Sequence, residues 1–285
     1  MITEVIRASD GVSLGLHHLD PAPDRAAPIV LLVHGAFSGH TIWLRGSGRR
    51  GADGFAGLLK ERGFDVWLAD LRGHGVADRE PAPRTWWFDD LITRDLPALL
   101  TRLRRETAGR PLAVVGHSAG GVAALGALAR AGDRPVADAL VTLGTPGPSH
   151  MGLVRYSGAV GCRTLALILG RFPARILRLG RDDEPGLMFA QWMAWNTAGR
   201  WLSRNGFDYL EALARVPTPY LGVAGERDPL FSPAYACREI VDRIGSSRKD
   251  LYIAPSLNHP GLVLDPRTAE TVVPRVTDWL RAVLR

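Results

Sequence analysis

Leu112-Ala113-Val114-Val115-Gly116-His117-Ser118-Ala119-Gly120-Gly121 is the stretch that decides the fold of this chain. Its apolar, valine-bearing half reads as a strand buried on both faces, and Val122-Ala123-Ala124-Leu125-Gly126-Ala127-Leu128-Ala129 behind it reads as a closely packed helix. Ser118 falls at the junction. A strand that turns straight into a helix puts its middle residue in a strained conformation with the hydroxyl exposed. Side chains on either flank would collide there, so the spacing Gly116-x-Ser118-x-Gly120 is what such a turn requires. The helix N-terminus adds free N–H groups and a positive dipole end beside the hydroxyl. A glycine-rich packing turn without chemistry is the alternative, and the rest of the chain must decide.

Working outward, Pro28 to Val33, Phe64 to Asp70, Ala139 to Leu143, Thr218 to Gly225 and Leu251 to Ala254 are further apolar strands separated by helical stretches. Strand, helix and strand at this spacing make βαβ units, so the sheet is parallel and helices cover both faces. Glu4 to Arg7 and Val12 to His18, joined through Ser9-Asp10-Gly11, open the chain as an antiparallel hairpin. Helices are expected from Gly54 to Arg62, from Trp86 through Arg105, from Pro233 to Ile244 and from Pro266 to Leu284. Asp70 and Arg72 are expected to pair with each other and fix their loop.

The alternation stops between residues 147 and 210, which carry eight arginines against four acidic residues and are rich in Trp and Met. This segment reads as a helical cap inserted after the sixth strand, with residues 1–146 and 211–285 forming the core. Phe172, Ile176 and Leu179 share one face of an expected helix and Arg171, Arg175 and Arg178 another. A lid helix with a solvated outer face is preferred to a helix lying on an acidic membrane surface. Phe37, Met188, Trp192 and Trp195 are the candidates to line a substrate pocket; the cap's own small core is the competing reading for its Trp and Met residues.

Composition narrows the function. At 46% hydrophobic and 22% charged residues the 285-residue chain is an ordinary globular one, and its net charge of +6 is carried by arginine, since Lys60 and Lys249 are the only lysines. No basic run interleaved with aromatics occurs, which argues against nucleic-acid binding. Cys162 and Cys237 lack metal-ligand spacing and make no disulfide framework. The first residues lack the pattern of a secretion signal, so a cytoplasmic location is expected.

In a parallel open sheet, ligands bind beyond the carboxyl ends of the strands. Ser118, Ala36, Asp228 and His259 all follow strands directly or within one short loop, so they can converge. A serine hydroxyl needs a base, and among eight histidines only His259 follows Asp228. Asp228 is the acid chosen to hold its tautomer, with Glu226 the nearest rival. The backbone N–H groups of Ala36 and Ala119 are the candidate oxyanion donors.

With these residues in place the chain resembles the α/β-hydrolase fold serine hydrolases. Ser118, Asp228 and His259 match the family's order of nucleophile, acid and histidine, and His34-Gly35-Ala36 its His-Gly oxyanion loop. Arg72-Gly73-His74-Gly75 and Gly225-x-x-Asp228 match further family features. The resemblance covers roughly residues 28–146 and 217–285. It implies a mostly parallel eight-stranded sheet and hydrolysis of carboxylic esters through an acyl-enzyme, with a small-molecule ester or acyl substrate and no metal or cofactor. A long-chain lipase or thioesterase is the main alternative, followed by a carbon–carbon bond hydrolase or peptidase. A noncatalytic ligand-binding module is the reading from another class.

Overall fold

The computed structural model describes residues 1–20, 24, 26–46, 54–78, 86–107, 109–148 and 152–284. Eight strands form one sheet: β1 (Ile2–Arg7), β2 (Ser13–His18), β3 (Ile29–Val33), β4 (Asp65–Asp70), β5 (Leu112–His117), β6 (Ala139–Leu143), β9 (Tyr220–Gly225) and β10 (Lys249–Ala254). β7 (Arg171–Phe172) and β8 (Glu184–Pro185) pair separately within the insertion. The sheet order is β1-β2-β4-β3-β5-β6-β9-β10. β1 and β2 are antiparallel to each other, β2 is antiparallel to β4, and the pairs from β4 through β10 are parallel.

Side chains alternate across a strand, and the central strands use both faces. Ile29, Leu31, Val33, Leu112 and Val114 enter one buried cluster with the helices Leu96–Thr107 and Ala119–Ala131. Val30, Leu32, Ala113, Val115 and Val141 enter a second with Phe55, Leu59, Val273 and Leu280. Burial on both faces is why these strands read as continuous apolar runs.

Several expected elements are realised differently. The helix expected from Trp86 begins at Phe88 and widens into a π turn over Leu91–Asp95 before continuing as Leu96–Thr107. Pro97 has no N–H to give the carbonyl four residues back, and a wider turn ahead of it accommodates the missing bond. The last helix, expected from Pro266 to Leu284, divides into a 3₁₀ turn Pro266–Ala269 and the helix Val272–Val283, and a short helix Gly261–Leu264 precedes it.

The amphipathic helix expected over Arg171 to Leu179 does not form. The helix Leu153–Leu169 ends at a left-handed Gly170, Phe172 pairs with Glu184, and Arg178 turns the chain at φ 57°. Asp183 accepts from the Arg175 N–H at 2.9 Å and holds this turn in place of a helical hydrogen bond. Phe172 is buried while Ile176 is 75% exposed, so the residues assigned to one face point apart.

The insertion packs onto the core: Met188, Trp195, Trp201 and Tyr209 join the cluster formed by the sheet and the helix Ala119–Ala131, and among the described residues Ala166, Phe172, Ala174 and Phe189 make a small cluster of their own. No helix among the described residues is long and apolar enough to cross a membrane.

Asp70 and Arg72 do not pair with each other. Asp70 Oδ2 accepts from His17 Nε2 (2.9 Å), His40 Nδ1 (2.8 Å) and the Val76 N–H (2.9 Å). Arg72 is wholly buried and donates to Asp95 from Nε (2.8 Å) and Nη2 (2.6 Å) and to Asp10 from Nη1 (2.9 Å). A buried guanidinium without its carboxylate is strongly unfavourable. Asp95→Ala should therefore cost about 3–5 kcal/mol in urea unfolding, and Asp10→Ala clearly less because Asp10 is partly solvated.

Candidate active site

The parallel strands end together, and each ends in a loop that carries one component of the site. β5 runs into the helix Ala119–Ala131 through Ser118, which sits at φ 51°, ψ −118°. A methyl on Gly120 would lie 2.2 Å from the His34 carbonyl oxygen, and one on Gly116 would lie 2.7 Å from Gly121 Cα, so both flanks must be glycine. The Ser118 N–H donates to the Leu143 carbonyl at 2.9 Å, and Thr145 Oγ1 donates to the Ser118 carbonyl at 3.1 Å. The turn is thereby tied to the end of β6.

Asp228 follows β9 and His259 follows β10. His259 Nε2 lies 3.0 Å from Ser118 Oγ, and His259 Nδ1 lies 2.7 Å from Asp228 Oδ2. An ionised carboxylate can only accept, so Nδ1–H donates to Asp228 and leaves Nε2 to take the serine hydroxyl. Burial alone would raise the Asp228 pKa; the hydrogen bond and charge of His259 and the bonds from Ser232 and the Phe231 N–H outweigh it and hold the carboxyl below its usual range. Glu226, the rival acid, is exposed and accepts from the Ser256 N–H instead. The three side chains expected to meet therefore do so.

His34-Gly35-Ala36 leaves β3 and lies against the elbow, where a methyl on Gly35 would sit 3.1 Å from Ser118 Cβ. The Ala36 and Ala119 N–H groups have no acceptor among the described residues, and both residues border one cavity beside Ser118. That cavity is also lined by Leu71, His74, Phe88, Leu91, Glu184, Met188, Phe189 and Trp192. Met188 and Trp192, two of the four pocket candidates, border this cavity. Phe37 and Trp195 do not border it. Phe37 packs against the stacked pair of Phe172 and Phe189, and Trp195 is buried with its Nε1 donating to the Leu202 carbonyl at 2.6 Å. Phe37 thus lies, half-buried, against the insertion's small cluster, and Trp195 lies in the main core.

A sequence model of the alpha/beta hydrolase family matches residues 30–273. The chain belongs to this family. Among curated relatives of this alpha/beta hydrolase, a tear acid lipase-like protein of Mesocricetus auratus is 33% identical over 106 residues, 35% of this chain and 26% of that protein. The gastric triacylglycerol lipase of Homo sapiens is 33% identical over 100 residues, 33% of this chain and 24% of that protein. The matches span about a quarter to a third of those relatives. In three dimensions the hydrolase is similar to an esterase of Pyrococcus furiosus (TM-score 0.64, 17% identity, 100% of this chain and 93% of that one). It is also similar to a carboxylesterase of Nitrososphaera gargenis (TM-score 0.66, 18% identity, 98% of each chain). At such identities these likenesses speak to the fold.

Sequence reasoning missed several residues that shape the site. Ser232 contacts both Asp228 Oδ2 and, at 3.1 Å, His259 Nδ1; its position four residues after the acid was the available signal. His117 packs beside His259 with ring centroids 5.0 Å apart. Glu184, in the arginine-rich insertion, receives the Phe37 N–H at 2.6 Å and His74 Nε2 at 3.1 Å, and no local pattern marks it. His17, His40 and Asp70 are the metal-capable set among the described residues. Their nitrogens bond directly to the carboxylate at 2.8–2.9 Å, closer than ligands around a shared ion, so the set is a hydrogen-bonded hub.

The buried histidines divide by their partners. His34 Nε2 accepts from the Leu71 N–H and its Nδ1 donates to the Gly35 carbonyl, so the ring is neutral, and burial brings its pKa down to about 4. Burial and the nearby His259 bring His117 down to about 3. In the unfolded chain both would titrate near 6.5. The stability these rings confer is therefore present above that pH and is lost as acid carries the folded protein towards about 4 for His34 and about 3 for His117. Urea midpoints should fall progressively over this window with an unchanged slope, and ¹⁵N shifts should report both rings neutral at pH 6.5.

Proposed function

We propose that this alpha/beta hydrolase cleaves carboxylic esters with Ser118 as nucleophile, His259 as general base and acid, and Asp228 as the group that orients and stabilises the imidazolium. The continuous path of 3.0 and 2.7 Å from Ser118 Oγ through His259 to Asp228 carries this reading. The esterase and lipase names of its relatives support the same bond type.

Ser118 Oγ attacks the ester carbonyl while Nε2 of His259 takes its proton. The oxyanion receives the Ala36 and Ala119 N–H groups, and the second lies at the positive end of the helix Ala119–Ala131. Collapse of the tetrahedral intermediate expels the alkoxide, which leaves as the alcohol with the proton from Nε2. A water molecule, deprotonated by Nε2, attacks the acyl-serine; the acid is released and Ser118 recovers its proton. The acyl group is assigned to the cavity bordered by Leu71, Leu91, Met188 and Trp192; at about 20 Å³ it takes only the smallest acyl groups as it stands, and a longer chain needs these walls to part.

A second reading, for long-chain acyl esters presented at a lipid surface, is favoured by the outside of the insertion. Residues 152–181 contain six arginines and no acidic residue, and Leu153, Val154, Ile168 and Ile176 there are 71–81% exposed. Apolar side chains interleaved with arginine suit an anionic lipid–water boundary.

Activity on p-nitrophenyl esters of increasing chain length separates the two readings. A fall from acetate to longer chains, with no sedimentation on phosphatidylglycerol vesicles, sinks the lipid-surface version. Ser118→Ala should abolish turnover and labelling by a fluorophosphonate. Asp228→Asn should lower kcat by about 10⁴-fold with the fold intact. Full activity in Ser118→Ala would end the proposal.

A further inference from the structure

Phe37, directly after Ala36, holds φ 65°, a backbone region that a residue with a side chain occupies only where its surroundings fix it. The contacts that fix it come from the insertion. Its N–H donates to Glu184 Oε1 at 2.6 Å, and its carbonyl accepts from the N–H groups of Arg181 (2.8 Å) and Asp182 (3.2 Å). The approach is so close that a methyl on Gly180 would fall 2.3 Å from Phe37 Cβ.

Glu184 is 4% exposed and reaches the cavity that Ala36 and Ala119 border. A lone carboxylate there would oppose negative charge developing on a substrate oxygen. His74 answers that charge: its Nε2 faces Glu184 Oε1 at 3.1 Å and its Nδ1 faces the Arg72 carbonyl at 3.1 Å. Both partners can only accept, so both nitrogens carry protons and the ring is an imidazolium. The nearby His34 is neutral by the hydrogen bonds already described.

We propose that Glu184 is a positioning residue for ester hydrolysis: by accepting the Phe37 N–H it fixes the His34–Phe37 loop so that the Ala36 N–H meets the oxyanion, while His74 cancels its charge. The proposal rests on the serine-hydrolase reading above. Seating of the insertion and readiness of the oxyanion site then become one event, because the same carboxylate completes both.

The test uses the full-length chain and the p-nitrophenyl ester that it turns over fastest. A displaced donor weakens a contact made fully in the transition state. Glu184→Ala should therefore lower kcat by about 10–100-fold while KM changes by less than about threefold. Exchange of the Phe37 amide, followed by NMR, should accelerate at least about tenfold as its acceptor is lost. Glu184→Gln keeps an oxygen that can accept the Phe37 N–H and should retain kcat within about fivefold. Gly180→Ala pushes on the same loop without touching the carboxylate and should also lower kcat, so the question stays open to measurement if Glu184→Ala does not fold. Unchanged Phe37 exchange in Glu184→Ala, equal losses in the Ala and Gln variants, a loss confined to KM, or full kcat in Gly180→Ala would each overturn the proposal. A wild-type chain that hydrolyses no ester would instead fail the hydrolase reading itself, which an active wild type with a failed Glu184→Ala result leaves standing.

Discussion

The His34 carbonyl oxygen lies 2.2 Å from where a Cβ on Gly120 would stand, and this contact between two bare stretches of backbone sets the dimensions of everything around it. It brings the end of β3 against the start of the helix behind Ser118, so the loop carrying Ala36 and the serine share a wall. The close approach forces Ser118 to positive φ, and the bonds from Ser118 to Leu143 and from Thr145 to Ser118 hold it there. Packing of the flanking strands and helices sustains the strain. A larger side chain at either flank would relieve the strain only by separating the two backbones that define the site.

Around that contact the loops are tied by buried charge as much as by apolar packing. Asp70 gathers His17, His40 and the Val76 N–H, joining β2, the turn after Gly39 and the loop after β4. Arg72 joins the same loop to Asp95 on the helical side and Asp10 in the first hairpin. Glu184 adds the insertion through His74 and Phe37. Each ion meets several hydrogen-bonding partners, which is the condition under which a buried charge is tolerated. The rim of the candidate site is thus a set of irregular loops whose relative positions are fixed by directional bonds, while the sheet beneath them is fixed by burial on both faces.

The insertion was the least legible part of the sequence. Arg171, Arg175 and Arg178 recur at a helical spacing, yet the chain there turns and pairs, because Asp183 accepts the Arg175 N–H and pairs with the exposed Arg171 and Arg175 side chains, and Phe172 pairs with Glu184. Periodicity reports which residues could share a face; it carries no information about a competing partner eight residues away. Trp195 and Met188 looked alike as pocket candidates by composition, and seven residues apart they share one face of the helix Gly186–Ala198, but Met188 borders the cavity while Trp195, two turns further on, packs against Trp201 and Tyr209. Position along the helix axis, about 1.5 Å per residue, separates those roles, and it has meaning only once the helix is docked against its neighbours.

By itself the sequence determined the sheet, the elbow and the three residues that meet at it. Those features rest on local rules: alternation and apolar runs for strands, glycine where backbones approach, and chemistry-bearing residues just past strand ends that a parallel sheet must gather on one side. The tertiary structure alone decided which carboxylates are buried with which cations, that Asp70 and Arg72 serve different partners, and that Glu184 reaches the loop after β3 from 147 residues away. Such pairings depend on distances between elements remote in the chain, and an ion buried without water takes whatever partner the packing leaves within a hydrogen bond's reach.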